Sequence, residues 1–419
     1  MDVFRISGGS ALKGAVKVGR AKNAVLPILA AAMLTEGKVL IRECPGLVDI
    51  ENMLAILETL GCAIKWDGEN ALVDARSANS WDMPEVLSKR IRSSIFMLGP
   101  LIGRFRRACV TYPGGCEIGL RPIDLHLKGL RSLGVKIREA HGRIYCDGSQ
   151  LRGGDVYLDL PSVGATENVM MAAVLAKGTT SIHNAAREPE IVDLQDFINA
   201  MGGKVRGAGT DCVVIEGVSA LSGVEFTPMA DRIVAGTLMA ACAATRGEIT
   251  LENAPVSSLG AAIDKLAGCG CQIDCREDTL HMRADGALKP FDISTQYYPG
   301  FPTDMQAQFM ALACTLDGSS MIVENLFESR FGHAAQLVRM GADIYVSGRL
   351  AVVRGTRLMG ARVMAGDLRG GAALVLAGLA AEGITEVCRC EMIDRGYYRF
   401  EDTLRCLGAD VTRERGSED

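Results

Sequence analysis

Apolar and polar positions follow two rhythms along this chain, and the pair recurs six times. The first is a polar start leading into an alanine-rich apolar run. It appears as Lys22-Asn23 into AVLPILAAAMLTEGKVLI, Thr166 into ENVMMAAVLAKGTTSI, Asp231 into RIVAGTLMAACAATRGEITL, Asp304 into MQAQFMALACTLDGSSMIV and Asp367 into LRGGAALVLAGLAAEGITEV. Arg92 into SSIFMLGPLIGRFRRACVTY is an irregular sixth copy. Runs that are apolar nearly all round predict buried helices. The second rhythm is a helical segment that ends in glycine and gives way to alternation: Gly61 (ETLGCAIKW), Gly134 (RSLGVKIRE), Gly202 (NAMGGKVRG), Gly270 (AGCGCQIDC), Gly341 (VRMGADIYV) and Gly408 (RCLGADVTR). A glycine at that junction predicts a helix C′ residue followed by strand, turn and strand.

These glycines stand about 70 residues apart, too long a period for a solenoid. Each unit is therefore predicted to be β-α-β-α-β-β, and six units suit two α/β domains of three. The 419-residue length also favours two cores over one. A cut after the third unit is the simple division. Alternatively the first strand segment, residues 3 to 18, pairs with the last units and brings both ends of the chain into one domain.

Composition removes several classes of function. A net charge of −5 and a pI near 5.7 argue against a nucleic-acid-binding protein. No apolar run reaches the eighteen or so residues of a membrane helix, and the opening Met-Asp-Val-Phe-Arg-Ile-Ser reads as a strand rather than a signal segment. The expectation is a cytoplasmic protein. Fourteen cysteines are scattered along the whole length, which suggests reduced thiols. Cys269/Cys271 and Cys388/Cys390 lack the partners of a zinc site, so core packing is expected there and no metal.

Candidate chemistry gathers at a few places. Lys22, Arg92, Arg232 and Arg369 stand at or near the starts of apolar helices, where a cation opposes the helix dipole unless an anion lies between. Ser162-Val163-Gly164-Ala165-Thr166 opens its helix without charge, as a backbone anion cradle or as an ordinary cap. In Pro302-Thr303-Asp304-Met305-Gln306 a T-x-x-Q capping box from Thr303 and Gln306 would leave Asp304 free to act as a base. Val110-Thr111-Tyr112-Pro113-Gly114-Gly115-Cys116-Glu117-Ile118-Gly119-Leu120-Arg121-Pro122 places Cys116 on a glycine loop near a cation. That setting lowers a thiol pKa, although a hairpin with a plain surface cysteine fits the same residues. His126 follows closely.

Taken together, AKNAVLPILAA, PGGCEIGLRPIDLH, SVGATENVMMAA, NAAREPEIVDL, PGFPTDMQAQ, DLRGGAALVLAGL and IDRGY resemble the UDP-N-acetylglucosamine enolpyruvyl transferases (1-carboxyvinyltransferases), from residue 3 to about 412. The resemblance implies two inside-out α/β barrel domains of three repeats each. Domain I would span residues 22–229 and domain II residues 1–21 with 230–419, with the active site in the cleft between them. It implies transfer of the enolpyruvyl group of phosphoenolpyruvate to the sugar 3-hydroxyl, with no cofactor or metal, by a monomer without nucleic-acid or membrane partners.

By motif position, Cys116 resembles the family's reactive cysteine, the one fosfomycin alkylates, on a loop that closes as a lid. Asp304 resembles the residue facing the sugar hydroxyl. Lys22, Arg121 and Arg395 resemble the clamp on phosphoenolpyruvate, with Arg92, Asp367 and Arg369 adjoining. Asn23, Pro122, Asp124, Leu125, His126, Ser162, Val163, Gly164 and Leu326 fall where the sugar nucleotide is held. Arg20 stands where the family usually has glycine, Phe96 where tryptophan is frequent, and Leu160 where lysine occurs. Two alternatives remain: the sister activity on shikimate 3-phosphate, which the cysteine loop and RPIDLH argue against, and an inactive paralogue that only binds the sugar nucleotide.

Overall fold

The computed structural model describes residues 2–114 and 122–415. They separate into two compact units, one of residues 2–19 and 230–415 and the other of residues 20–114 and 122–229. Each unit has its own hydrophobic core. Among the described residues no helix is long and apolar enough to cross a membrane.

The six apolar runs form the central helices α1 (Lys22–Ala31), α2 (Leu98–Phe105), α3 (Val163–Ala173), α4 (Arg232–Ala244), α5 (Thr303–Ala313) and α6 (Leu368–Ala380). Beyond the first turn almost every residue in them is buried. The irregular copy is irregular for a covalent reason. Pro100 cannot donate a hydrogen bond to the carbonyl four residues back, so Arg92–Met97 winds as a 3-10 turn and the α-helix begins only at Leu98. Small residues let the helices close up: a Cβ on Gly236 of α4 would meet the Met305 side chain of α5 at 2.5 Å.

All six junction glycines lie at positive φ, between +82° and +115°. Each ends its helix in a Schellman arrangement; at the first, Gly61 N–H donates to Glu58 O and Cys62 N–H to Leu57 O, both at 3.0 Å. After the first five the chain enters an antiparallel hairpin, and after Gly408 it enters a single strand, Asp410–Arg415; each turns one face to the helices and the other to solvent.

Six sheets are seen among the described residues, three per unit, and they share one plan. In the sheet of Lys13–Lys17, Glu248–Glu252, Gln272–Arg276 and Thr279–Arg283, the first strand runs parallel to the second. The hairpin of the other two adds antiparallel to it. The sheet of Arg107–Thr111, Lys136–Ala140 and Arg143–Asp147 reduces the parallel strand to a single bridge, Asp82 to Cys109. In the last sheet, Asp2–Ser7 occupies the place of the second hairpin strand, between Ile384–Cys388 and Asp410–Arg415.

The initial segment thus joins the last unit through residues 2–7 only. Residues 13–17 pair with the fourth unit instead, because the chain turns at Gly8-Gly9 after Ser7. Among the described residues no ladder joins one sheet to the next, so the three sheets of each unit stay separate rather than closing into one continuous barrel.

Candidate active site

In the unit of residues 2–19 and 230–415 an aspartate stands at the start of each central helix. Two of them cap. Asp231 Oδ1 accepts from Ile233 N (2.8 Å) and Val234 N (2.9 Å), and Asp367 Oδ1 accepts from Arg369 N (3.0 Å) and Gly370 N (3.1 Å).

Asp304 does not cap, and neither does the expected Thr303/Gln306 box. The N-cap position is Pro302, and the Gln306 amide has no hydrogen-bond partner. The cause is Glu324. A buried carboxylate must collect donors, and this one takes Thr295 Oγ1 (2.9 Å), Thr303 Oγ1 (2.9 Å) and the backbone N–H groups of Leu326 (2.9 Å) and Phe327 (3.2 Å). That gathering also fixes the half-buried Leu326 loop beside the start of α5.

The Asp304 carboxylate instead meets two arginines, Arg330 Nη2 at 2.9 Å from Oδ1 and Arg369 Nη2 at 3.2 Å from Oδ2. Both arginine side chains are 3% exposed while that of Asp304 is 28% exposed, so the cations are sealed and the carboxylate is reachable. Burial opposes the Arg369 charge, yet Tyr397, Asp304 and Asp231 outweigh it and its pKa rises. Arg369 Nε and Nη1 and Arg330 Nε find no acceptor among the described residues. Fixed positive charge with unspent N–H donors suits a phosphate or carboxylate. Arg395 is half-buried on the turn between Asp394, which pairs with Arg413 (2.6 Å), and the buried Tyr397.

A second group forms in the other unit. Asn168 Oδ1 accepts from Gly99 N at 2.7 Å, which orients its amide. Its Nδ2 then donates to Ile95 O (3.1 Å) and His126 Nδ1 (2.8 Å). His126 Nδ1 is therefore an acceptor, and the ring proton lies on Nε2, on the side of Gly164. Burial, helped by the charge of Arg92, lowers the His126 pKa to about 3, so the ring stays neutral. A Cβ on Gly164 would lie 2.8 Å from His126 Cε1 and 3.2 Å from Phe96 Cε1. Ser162 caps α3 by accepting from Ala165 N (3.3 Å), with Val163 the first helical residue.

At the start of α1, Lys22 Nζ lies 2.8 Å from Asp49 Oδ2, and Asn23 follows half-buried. Arg20 is turned to Glu43 through two hydrogen bonds (2.8 and 3.2 Å). Pro122 and Asp124 are exposed and Leu125 is half-buried around the start of the helix Asp124–Ser132. Cys116 and Arg121 lie outside the described residues, as does the centre of the expected lid.

The structure thus collects Asp304, Arg369 and Asp367 with Tyr397, and separately Arg92, His126 and Gly164 with Ser162 and Val163. Arg330, Glu324, Asn168 and Asp49 were not predicted. Arg330 falls in NLFESRFGH, which has neither period nor motif, and nothing in the sequence places it beside Asp304.

A reachable carboxylate held by sealed arginines with spare donors is an arrangement chemically suited to proton transfer beside an anionic group. The profile of the family described as EPSP synthase (3-phosphoshikimate 1-carboxyvinyltransferase) matches residues 6–404, and the chain belongs to this family of carboxyvinyl transferases. Among curated relatives it is 50% identical over 415 residues, covering 99% of this chain and all of the relative, to UDP-N-acetylglucosamine 1-carboxyvinyltransferase 2 of Caldanaerobacter subterraneus subsp. tengcongensis. It is 48% identical to UDP-N-acetylglucosamine 1-carboxyvinyltransferase of Myxococcus xanthus, over 99% of this chain and all of the relative. Of solved structures, the enolpyruvyl transferase NikO from Streptomyces tendae superposes with a TM-score of 0.89 at 25% identity over 99% of both chains. EPSP synthase from Acinetobacter baumannii, at 18% identity and a TM-score of 0.76 over 99% of this chain and all of that one, shares the fold.

Proposed function

We propose that this protein transfers the enolpyruvyl group of phosphoenolpyruvate to the 3-hydroxyl of UDP-N-acetylglucosamine and releases phosphate, the first committed step of peptidoglycan synthesis. The observation that carries this reading is the Asp304 carboxylate, reachable from outside and fixed by two sealed arginines. A carboxylate so placed takes or orients the proton of an attacking hydroxyl, while the unspent N–H groups beside it match the anionic groups of phosphoenolpyruvate. The identity of about one half with full-length relatives of that name supports the choice of acceptor.

In this reading Cys116 delivers the proton to the methylene carbon, and Lys22, Arg121 and Arg395 hold the phosphate and carboxylate beside Arg92, Asp367 and Arg369. Asn23, Pro122, Asp124, Leu125, His126, Ser162, Val163, Gly164 and Leu326 hold the sugar nucleotide. The family's inside-out arrangement, with apolar helices within and sheets outside, is proposed for each unit. The enzyme acts in the cytoplasm as a monomer without metal or cofactor.

The test is phosphate release from phosphoenolpyruvate with each acceptor in turn, with the product weighed by mass spectrometry. Release with UDP-N-acetylglucosamine and the mass of its enolpyruvyl ether are expected. Release with shikimate 3-phosphate alone, or nucleotide binding without release, overturns the reading.

A further inference from the structure

Arg369 is held without using up its donors. One nitrogen meets Asp304, and the guanidinium carbon lies over the ring of Tyr397, 5.4 Å from its centroid. An aromatic face attracts a cation yet accepts no conventional hydrogen bond from it, which is why Nε–H and Nη1–H remain available.

The ring is fixed in turn. Tyr397 Oη lies 2.9 Å from Thr237 Oγ1 of α4 and 3.0 Å from Gln308 Nε2 of α5. Gln308 Nε2 also stands 2.9 Å from Asp304 O and 3.0 Å from Thr237 Oγ1, and Thr237 Oγ1 stands 2.7 Å from Ile233 O. Both ends of this chain are backbone carbonyls, which only accept, so its direction is settled. Gln308 donates one hydrogen to Asp304 O, and a flipped amide would set oxygen against oxygen. Thr237 donates to Ile233 O, having a single hydrogen. The Tyr397 hydroxyl must then donate to Thr237 Oγ1, and the second hydrogen of Gln308 is shared between the Tyr397 and Thr237 oxygens, each 3.0 Å from Nε2. All three side chains are buried.

We infer that Tyr397 is a positioning residue for phosphoenolpyruvate: its ring holds the Arg369 guanidinium in place with two donors free for the anion, and its hydroxyl locks the ring to α4 and α5. The inference rests on the proposed placing of Arg369 beside that substrate. Tyr397 lies two residues after Arg395, so the same lock steadies the turn that carries the proposed second cation.

Steady-state kinetics of the full-length protein test this with Tyr397→Phe, which keeps the ring and removes the lock, and Tyr397→Leu, which removes both. The KM for phosphoenolpyruvate should rise about threefold in the first and about tenfold or more in the second, with the KM for UDP-N-acetylglucosamine unchanged. A merely structural role would lower kcat through lost folded enzyme and leave both KM values alone, and that result overturns the inference. An unchanged KM for phosphoenolpyruvate in Tyr397→Phe, which is expected to fold, overturns the lock by itself. Arg369→Met separates the underlying reading: if it leaves the KM for phosphoenolpyruvate unchanged, the placing of Arg369 fails, and if it raises that KM while the Tyr397 variants do not, only the role of Tyr397 fails.

Discussion

Asp304 shows how far a single residue can be read from its neighbours in sequence. A carboxylate in the first turn of a helix favours the dipole wherever it points, and its sequence neighbours do not include Arg330, 26 positions away. That Asp304 does not cap was expected, but through a Thr303/Gln306 box that does not form; Arg369 was named from its motif, whereas Arg330 and the contact of either arginine with Asp304 were not legible. Asp304→Asn keeps the shape but neither takes a proton nor balances Arg330 and Arg369, so kcat should fall by about 10²–10⁴-fold while nucleotide binding persists. Calorimetric titration with UDP-N-acetylglucosamine beside a turnover assay checks this; comparable turnover per folded molecule would return Asp304 to a structural role.

Glu167 is the opposite case, a charged residue where none is needed. It is fully buried in α3 with neither carboxyl oxygen hydrogen-bonded, and burial, reinforced by Glu190 and Glu188, raises its pKa well above the usual carboxylate range. Because the folded pKa exceeds the unfolded one, near 4.3, its contribution to stability is intact below about pH 4 and is lost as pH rises towards the folded pKa. Glu167→Gln removes that loss. Its melting temperature should exceed that of the parent by about 3 °C or more at pH 8 and by less at pH 5. An advantage that does not change with pH would show that Glu167 is not the protonated group.

At the scale of elements, what was legible was what is local. The glycine helix ends were readable because a Schellman turn is closed within six residues, and the starts of α4 and α6 because a polar residue, Asp231 or Asp367, directly precedes the apolar run. The Thr303/Gln306 box failed because Glu324 arrives from a strand that ends 20 residues later and outbids it for the Thr303 hydroxyl. The start of α3 has a similar external constraint in the imidazole of His126. Gly164→Ala places a methyl group 2.8 Å from that ring, and one of the two must shift. The KM for UDP-N-acetylglucosamine should rise about tenfold, with the helix content seen by circular dichroism unchanged. Parental kinetics would remove His126 and Gly164 from the nucleotide site.

At the scale of the whole chain, the sixfold repeat gave the number and order of the elements, while the closure of the last repeat was readable only as one of two alternatives. Alternation in Asp2–Ser7 marks a strand but names no partner, since pairing register is set by the faces that must be buried. Phe4 and Ile6 are fully buried between strands from the far end of the chain. Removing residues 1–7 should therefore raise amide hydrogen exchange in α4–α6 markedly and leave α1–α3 nearly as protected as before. Uniform loss of protection across both sets would mean that the two units do not unfold independently.

The same strand imposes an order on biosynthesis. Asp2–Ser7 leaves the ribosome long before its partners, Ile384–Cys388 and Asp410–Arg415. At roughly 5–20 residues per second the wait is about 20–80 s. For that time the nascent polypeptide carries an unpaired edge with three apolar side chains bare, Val3, Phe4 and Ile6, guarded by the charges of Asp2 and Arg5. Residues 20–229 have all their strands long before then, while the sheet of the other half that holds Asp2–Ser7 must wait for Ile384–Cys388 and Asp410–Arg415.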